Sequence, residues 1–172
     1  STMWAAFFSI MNDTGARNGE PRALKWGDID LDREFIPLMK AIETGTSAKV
    51  KGTKNAKMKP GWPTKTTIEV LKRWKQETLY HQVTDWIFTY SRNGTTKKPV
   101  SNEAVLKAFK LVLERNGYSD RGWTPYWLRH SFITYGQEVL SPEDIKLLAG
   151  DYHHIDGYGH TDEEALYKKG LA

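Results

Sequence analysis

The sequence predicts an α+β domain, mostly helical, with a small antiparallel sheet. Three observations predict it. Apolar residues recur at helical spacing in several stretches, beginning with Trp4, Phe7, Phe8 and Met11. Helix-start signals, a Ser or Thr followed by proline or acidic residues, stand at Ser101, Thr124 and Ser141. Residues 35–63 carry short β-prone runs broken by glycine and proline. The 172 residues match one domain, residues 1–172, and a chain of this size buries roughly 70% of its unfolded surface without needing a disulfide or metal. Seven tryptophans and 39% hydrophobic residues belong to a folded chain. Cysteine is absent, which excludes a disulfide framework, a thiolate zinc site and a cysteine nucleophile.

In chain order, the stripe from Trp4 to Met11 is a helix, and Asp13-Thr14-Gly15 should end it. Asn18 to Lys25 suits a second short helix with Pro21 in its first turn. Phe35 to Met39 reads as a strand, its proline fitting a sheet edge. Ala48 to Thr53 and Lys59 to Pro63 are two further short strands. Thr67 to Tyr80 is a helix with Ile68, Leu71, Trp74 and Leu79 on one stripe and lysines opposite. Trp86 to Tyr90 is a short apolar strand or buried segment. Ser101 opens a helix to about Arg115, closed by Asn116-Gly117. Thr124 caps the next helix, with Pro125 at its first position, and Ser141-Pro-Glu-Asp144 repeats the device. A last helix covers Asp162 to Lys169.

Charge is uneven. Residues 40–75 hold ten basic and two acidic side chains, a net +8, while residues 141–172 carry −4. Glycines 45, 52 and 61 let the basic stretch form hairpin-like arms, able to follow a phosphate backbone or simply to stand as a solvated lysine-rich loop. No run reaches the 18 or so apolar residues of a membrane span. The apolar N-terminus reads as a buried helix, not a signal peptide, and the expected location is cytoplasmic.

Three segments put reactive groups beside helix boundaries. In Thr14-Gly-Ala-Arg17-Asn-Gly-Glu20, Arg17 and Glu20 are three apart and share a helical face, so the carboxylate can orient the guanidinium for a planar anion or form a surface ion pair. In Tyr126-Trp-Leu128-Arg129-His130-Ser-Phe132, Leu128 and Phe132 face the core. Arg129 is then costly to bury unless it meets an anion, the alternative being an arginine that snorkels with His130 satisfied inside. In residues 150–160, glycines flank Tyr158, and His153, His154 and His160 raise a metal site or a plain polar loop as alternatives.

Taken together and in this order, these segments resemble the catalytic domain of the tyrosine recombinases, the phage-integrase family. Thr14 to Glu20 with Leu24-Lys-Trp-Gly-Asp-Ile-Asp-Leu31 is similar to the family's first box, Leu128-Arg-His-Ser-Phe132 to its second, and Tyr158-Gly-His160 to the nucleophile box. Gly52-Thr-Lys54-Asn55 resembles the hairpin with the catalytic lysine. The resemblance implies a mostly helical fold with a three-stranded antiparallel sheet and a DNA recombinase or integrase of a phage or mobile element, working without cofactor or metal. Arg17 and Arg129 would clamp one DNA phosphate. Tyr158 would attack phosphorus and form a 3′-phosphotyrosyl link. Lys54 would protonate the leaving oxygen, with Lys51, Lys57 and Lys59 as alternatives. His130 would assist proton transfer and Glu20 would orient Arg17. Double-stranded DNA is the implied partner, and a homotetramer on DNA the implied assembly of the full-length protein.

Two positions depart from the pattern. Tyr126 stands where the family has His or Lys, and Asp151 stands where it has His, with His153 or His154 as substitutes at a shortened interval. The other readings are a DNA-binding domain of the same ancestry with impaired catalysis, a histidine-rich metal hydrolase, and a helical interaction domain.

Overall fold

Aromatic and aliphatic side chains one turn apart make the first helix a wall of the core. In the computed structural model, which describes residues 1–43, 49–52, 58–89 and 98–150, α1 spans Thr2–Thr14 and buries Met3, Ala6, Phe7, Ile10 and Met11. Its rings anchor the rest. Phe7 meets Phe88 edge-on at 4.9 Å between centroids, and Phe8 meets Phe109 at 5.2 Å. As expected, α1 stops at Gly15, whose φ of 60° is left-handed.

After a turn come α2 (Gly19–Arg22), a single 3₁₀ turn at Trp26–Asp28, and then the sheet. Strand β1 (Lys40–Ile42) pairs antiparallel with β2 (Val50–Gly52) in the register Lys40–Gly52, Ala41–Lys51 and Ile42–Val50. The expected third strand is a correction. Among the described residues the sheet has two strands, and residues 35–39 and 59–63 meet only through the Leu38–Lys59 bridge and the Ile36 N–H donating to Gly61 O. Ile36 and Gly61 share one hydrogen bond where a full antiparallel pair exchanges two, so the pairing stops at a single bridge.

Helix α3 (Lys65–Glu77) packs on α1 through Ile68 and Leu71. Thr64 caps it, and Asp13 at the end of α1 accepts from Thr64 N, Thr64 Oγ1 and Thr67 Oγ1 at 2.9, 2.8 and 2.7 Å. Leu79, expected on the apolar stripe, is exposed because the helix ends at Glu77. Residues 86–89 form isolated bridges to Lys25 and Pro99. Helices α4 (Asn102–Arg115) and α6 (Pro142–Ala149) begin at the serines expected, with Ser101 and Ser141 Oγ accepting from Ala104 N and Asp144 N, both at 3.1 Å. Helix α5 (Tyr126–Gly136) begins one residue later than expected, with Pro125 in the cap position. A second, smaller cluster of Leu140, Ile145 and Leu148, backed by Phe132 and Ile133, holds α6 to α5. The expected helix at 162–169 lies outside the described residues. No described helix is long and apolar enough to cross a membrane.

Candidate active site

The turn after α1 carries Arg17. Glu20, buried on the first turn of α2, closes that turn: its Oε2 accepts from Arg17 N at 2.7 Å, while Glu20 N donates to Arg17 O at 2.8 Å. The Arg17 guanidinium stays half-exposed, with Nη1 4.0 Å from Glu20 Oε1. The pair is therefore a cap that fixes backbone, with one partner buried, and not a surface ion pair.

Arg129 projects from α5 toward the same turn. Its side chain is 1% exposed. Nη1 donates to Gly15 O at 2.6 Å and to Ala149 O at 2.7 Å. Gly15 ends α1 two residues before Arg17, and Ala149 is the last residue of α6. One guanidinium thus ties together two helix C-termini, where unpaired carbonyls carry partial negative charge. The snorkelling alternative fails, and so does a core position for His130, which is exposed. The His130 ring lies between Tyr126, edge-on at 4.6 Å, and Trp127 at 5.7 Å. With Tyr118 and Trp123 these side chains form an exposed aromatic row beside Arg129.

Of the expected lysines, Lys51 is exposed and paired with Glu43 at 2.8 Å. Lys54 and Lys57 lie outside the described residues, as do Tyr158, His153, His154 and His160. Lys59, expected only as an alternative to Lys54, is buried. Two backbone hydrogen bonds to Leu38 hold it, and its side chain is 2% exposed with Nζ 3.6 Å from Glu20 Oε2. Burial, together with the nearby guanidiniums of Arg129 and Arg17, lowers its pKa to about 8 against the counter-pull of Glu20. Both arginines act on this one ammonium, and the Gly15 carbonyl that holds Arg129 belongs to the turn that carries Arg17. The sequence offered Lys59 only as one of several alternative lysines, since it sits among other lysines with no apolar periodicity to single it out.

Three cations around one carboxylate make a site with excess positive charge. Guanidinium forks, fixed by carbonyls or by a cap, suit the oxygens of a tetrahedral anion.

The fold is that of the tyrosine-recombinase catalytic domain. The chain belongs to the phage integrase family, whose family model matches residues 1–145. Among solved structures it is similar to the Tn1549 transposon integrase in complex with a circular intermediate DNA, with a TM-score of 0.70 and 15% identity over 95% of this chain and 52% of that one. It is also similar to XerA recombinase, with a TM-score of 0.65 and 17% identity over 99% of this chain and 52% of that one. The chain therefore spans about half the length of these matched structures. No curated protein sequence matches it.

Proposed function

We propose that this chain is the catalytic domain of a site-specific DNA recombinase of the integrase type, cutting and rejoining DNA through a 3′-phosphotyrosyl intermediate. One observation carries the reading: Arg129, from α5, is anchored on the carbonyl of Gly15 in the turn that presents Arg17. Two guanidiniums from distant parts of the chain then face one phosphate. Phosphoryl transfer spreads charge over the equatorial oxygens, and cations already held in place stabilise that charge without reorganising. Tyr158 is the nucleophile in this reading. Its phenol, with an ordinary pKa of about 10, needs the cationic field of such a site to attack at neutral pH. Lys54 protonates the 5′ leaving oxygen, and His130 hydrogen-bonds the phosphate, its ring steadied by Tyr126. Glu20 positions Arg17. The substrate is double-stranded DNA, the class of molecule in the Tn1549 integrase complex, and the full-length protein acts as a homotetramer in a prokaryotic cytoplasm.

The test is covalent capture. The chain is incubated with a randomised pool of nicked duplexes, and protein-linked DNA is recovered under denaturing conditions and sequenced. The reading expects an adduct on Tyr158 that Tyr158→Phe abolishes; equal absence of adduct in both proteins overturns it. Tyr126 at a His or Lys position favours a second reading, a domain that binds duplex DNA with impaired catalysis. Salt-sensitive binding without an adduct would select it.

A further inference from the structure

Lys59 is anchored at three points. Its backbone is bridged to Leu38 in both directions, at 2.8 and 3.2 Å. Its ammonium faces Glu20 Oε2, the oxygen that also accepts the Arg17 amide. Its stem crosses Gly150, the left-handed residue that ends α6: a Cβ there would sit 3.0 Å from Lys59 Cδ. Gly150 directly follows Ala149, whose carbonyl holds Arg129. The charged groups facing the ammonium are Glu20 of α2, Arg17 of the preceding turn and Arg129 of α5. At its contact with Lys59, α6 offers the backbone of Gly150.

We propose that Lys59 is a positioning residue for both arginines, and that an oxyanion bound between them and the proton on Lys59 stabilise each other. This rests on the reading of the arginine pair as a phosphate site. Through Glu20 the lysine sets the turn of Arg17, and through Gly150 it seats the end of α6 that anchors Arg129. Electrostatics supplies the coupling. Burial is the main force against a protonated Lys59; the two arginines add to it and Glu20 opposes them. An anion at the arginines supplies further counter-charge and favours the proton, and by reciprocity the proton favours the anion. Lys59 itself touches no reacting atom.

The experiment follows the lysine directly. The 172-residue chain is labelled with ¹³C at lysine Cε, and Lys59 is identified by the signal lost in Lys59→Arg. Its titration is recorded in sodium sulfate and in sodium chloride of equal ionic strength, since sulfate keeps its charge across the range. The expected midpoint is about 8 in chloride, raised by about half a unit or more in sulfate. Sulfate then binds about threefold more weakly above the midpoint than below it. Glu20→Gln lowers the midpoint further. A midpoint at the ordinary lysine value, or one that sulfate leaves unmoved relative to chloride, overturns the proposal. The wild-type titration decides even if Glu20→Gln does not fold, and Lys59→Met identifies the signal should Lys59→Arg not fold. A sulfate-linked Lys59 in a chain that forms no DNA adduct leaves the proposal standing and sinks the recombinase reading. An adduct-forming chain with an indifferent Lys59 does the reverse.

Discussion

Lys59 gives the site a measurable dependence on pH through stability as well. Its folded pKa, about 8, lies below the ordinary 10.5. Between those values the unfolded chain binds the proton that the folded chain has released, so stability rises with pH through that window. Below about pH 8 the full cost of the buried ammonium is present; above 10.5 it is gone. The gain is on the order of 3 kcal/mol. Urea denaturation across the window should show wild type gaining stability relative to Lys59→Met, which has no proton to lose. Parallel curves for the two proteins would mean that the ammonium is not buried as described. Arg129 is the contrasting case. Its burial is tolerated because Nη1 meets two carbonyls.

Between elements, the junction of α1, α2 and α5 rests on Gly15. A side chain there would meet two penalties. The φ of 60° costs an L-residue roughly 1–2 kcal/mol. The added Cβ would also lie 2.4 Å from Phe132 Cδ1, so that ring must move away from the small cluster that holds α6. Gly15→Ala should therefore destabilise the fold by about 2–4 kcal/mol in urea denaturation. It should also loosen Arg129, whose anchor is the Gly15 carbonyl. A loss of only about 1–2 kcal/mol would show that Phe132 swings aside freely, and one below about 0.5 kcal/mol would remove both penalties. The three hydrogen bonds that Asp13 accepts from Thr64 and Thr67 lock α1 to α3 at the same end, so the turn carrying Arg17 starts from a braced helix.

For the molecule as a whole, the proposed function makes the basic segment the part that meets DNA. Residues 40–75 carry most of the excess positive charge, and Lys49 and Lys51 stand exposed on and beside β2. Each lysine that neutralises a phosphate steepens the dependence of log affinity on log salt by about 0.9. Fluorescence anisotropy with duplex DNA should give a steep salt slope, flattened by up to about 1.8 in a Lys49→Gln, Lys51→Gln double variant. An unchanged slope would move the DNA-binding face elsewhere.

Local chemistry made much of this fold legible in the chain. The stripe of α1, its stop at Gly15 and the serine caps of α4 and α6 involve residues within a few positions of one another, so spacing suffices to find them. Arg17 and Glu20 belong to the same category, since their contact closes one turn. Other features arise where segments remote in sequence meet. The aim of Arg129 follows from the arrival of Gly15 and Ala149 on either side of it, 114 and 20 residues away. The sheet shrank to two described strands because residues 35–39 and 59–63 meet at a single bridge, and Leu79 lost its place because α3 stops short of it. Lys59 is the sharpest instance: among neighbouring lysines its pattern reads as solvent-facing, yet pairing with Leu38 turns it inward onto Glu20. Periodicity records which face of an element is apolar, whereas the burial of one charge depends on what the rest of the fold places around it.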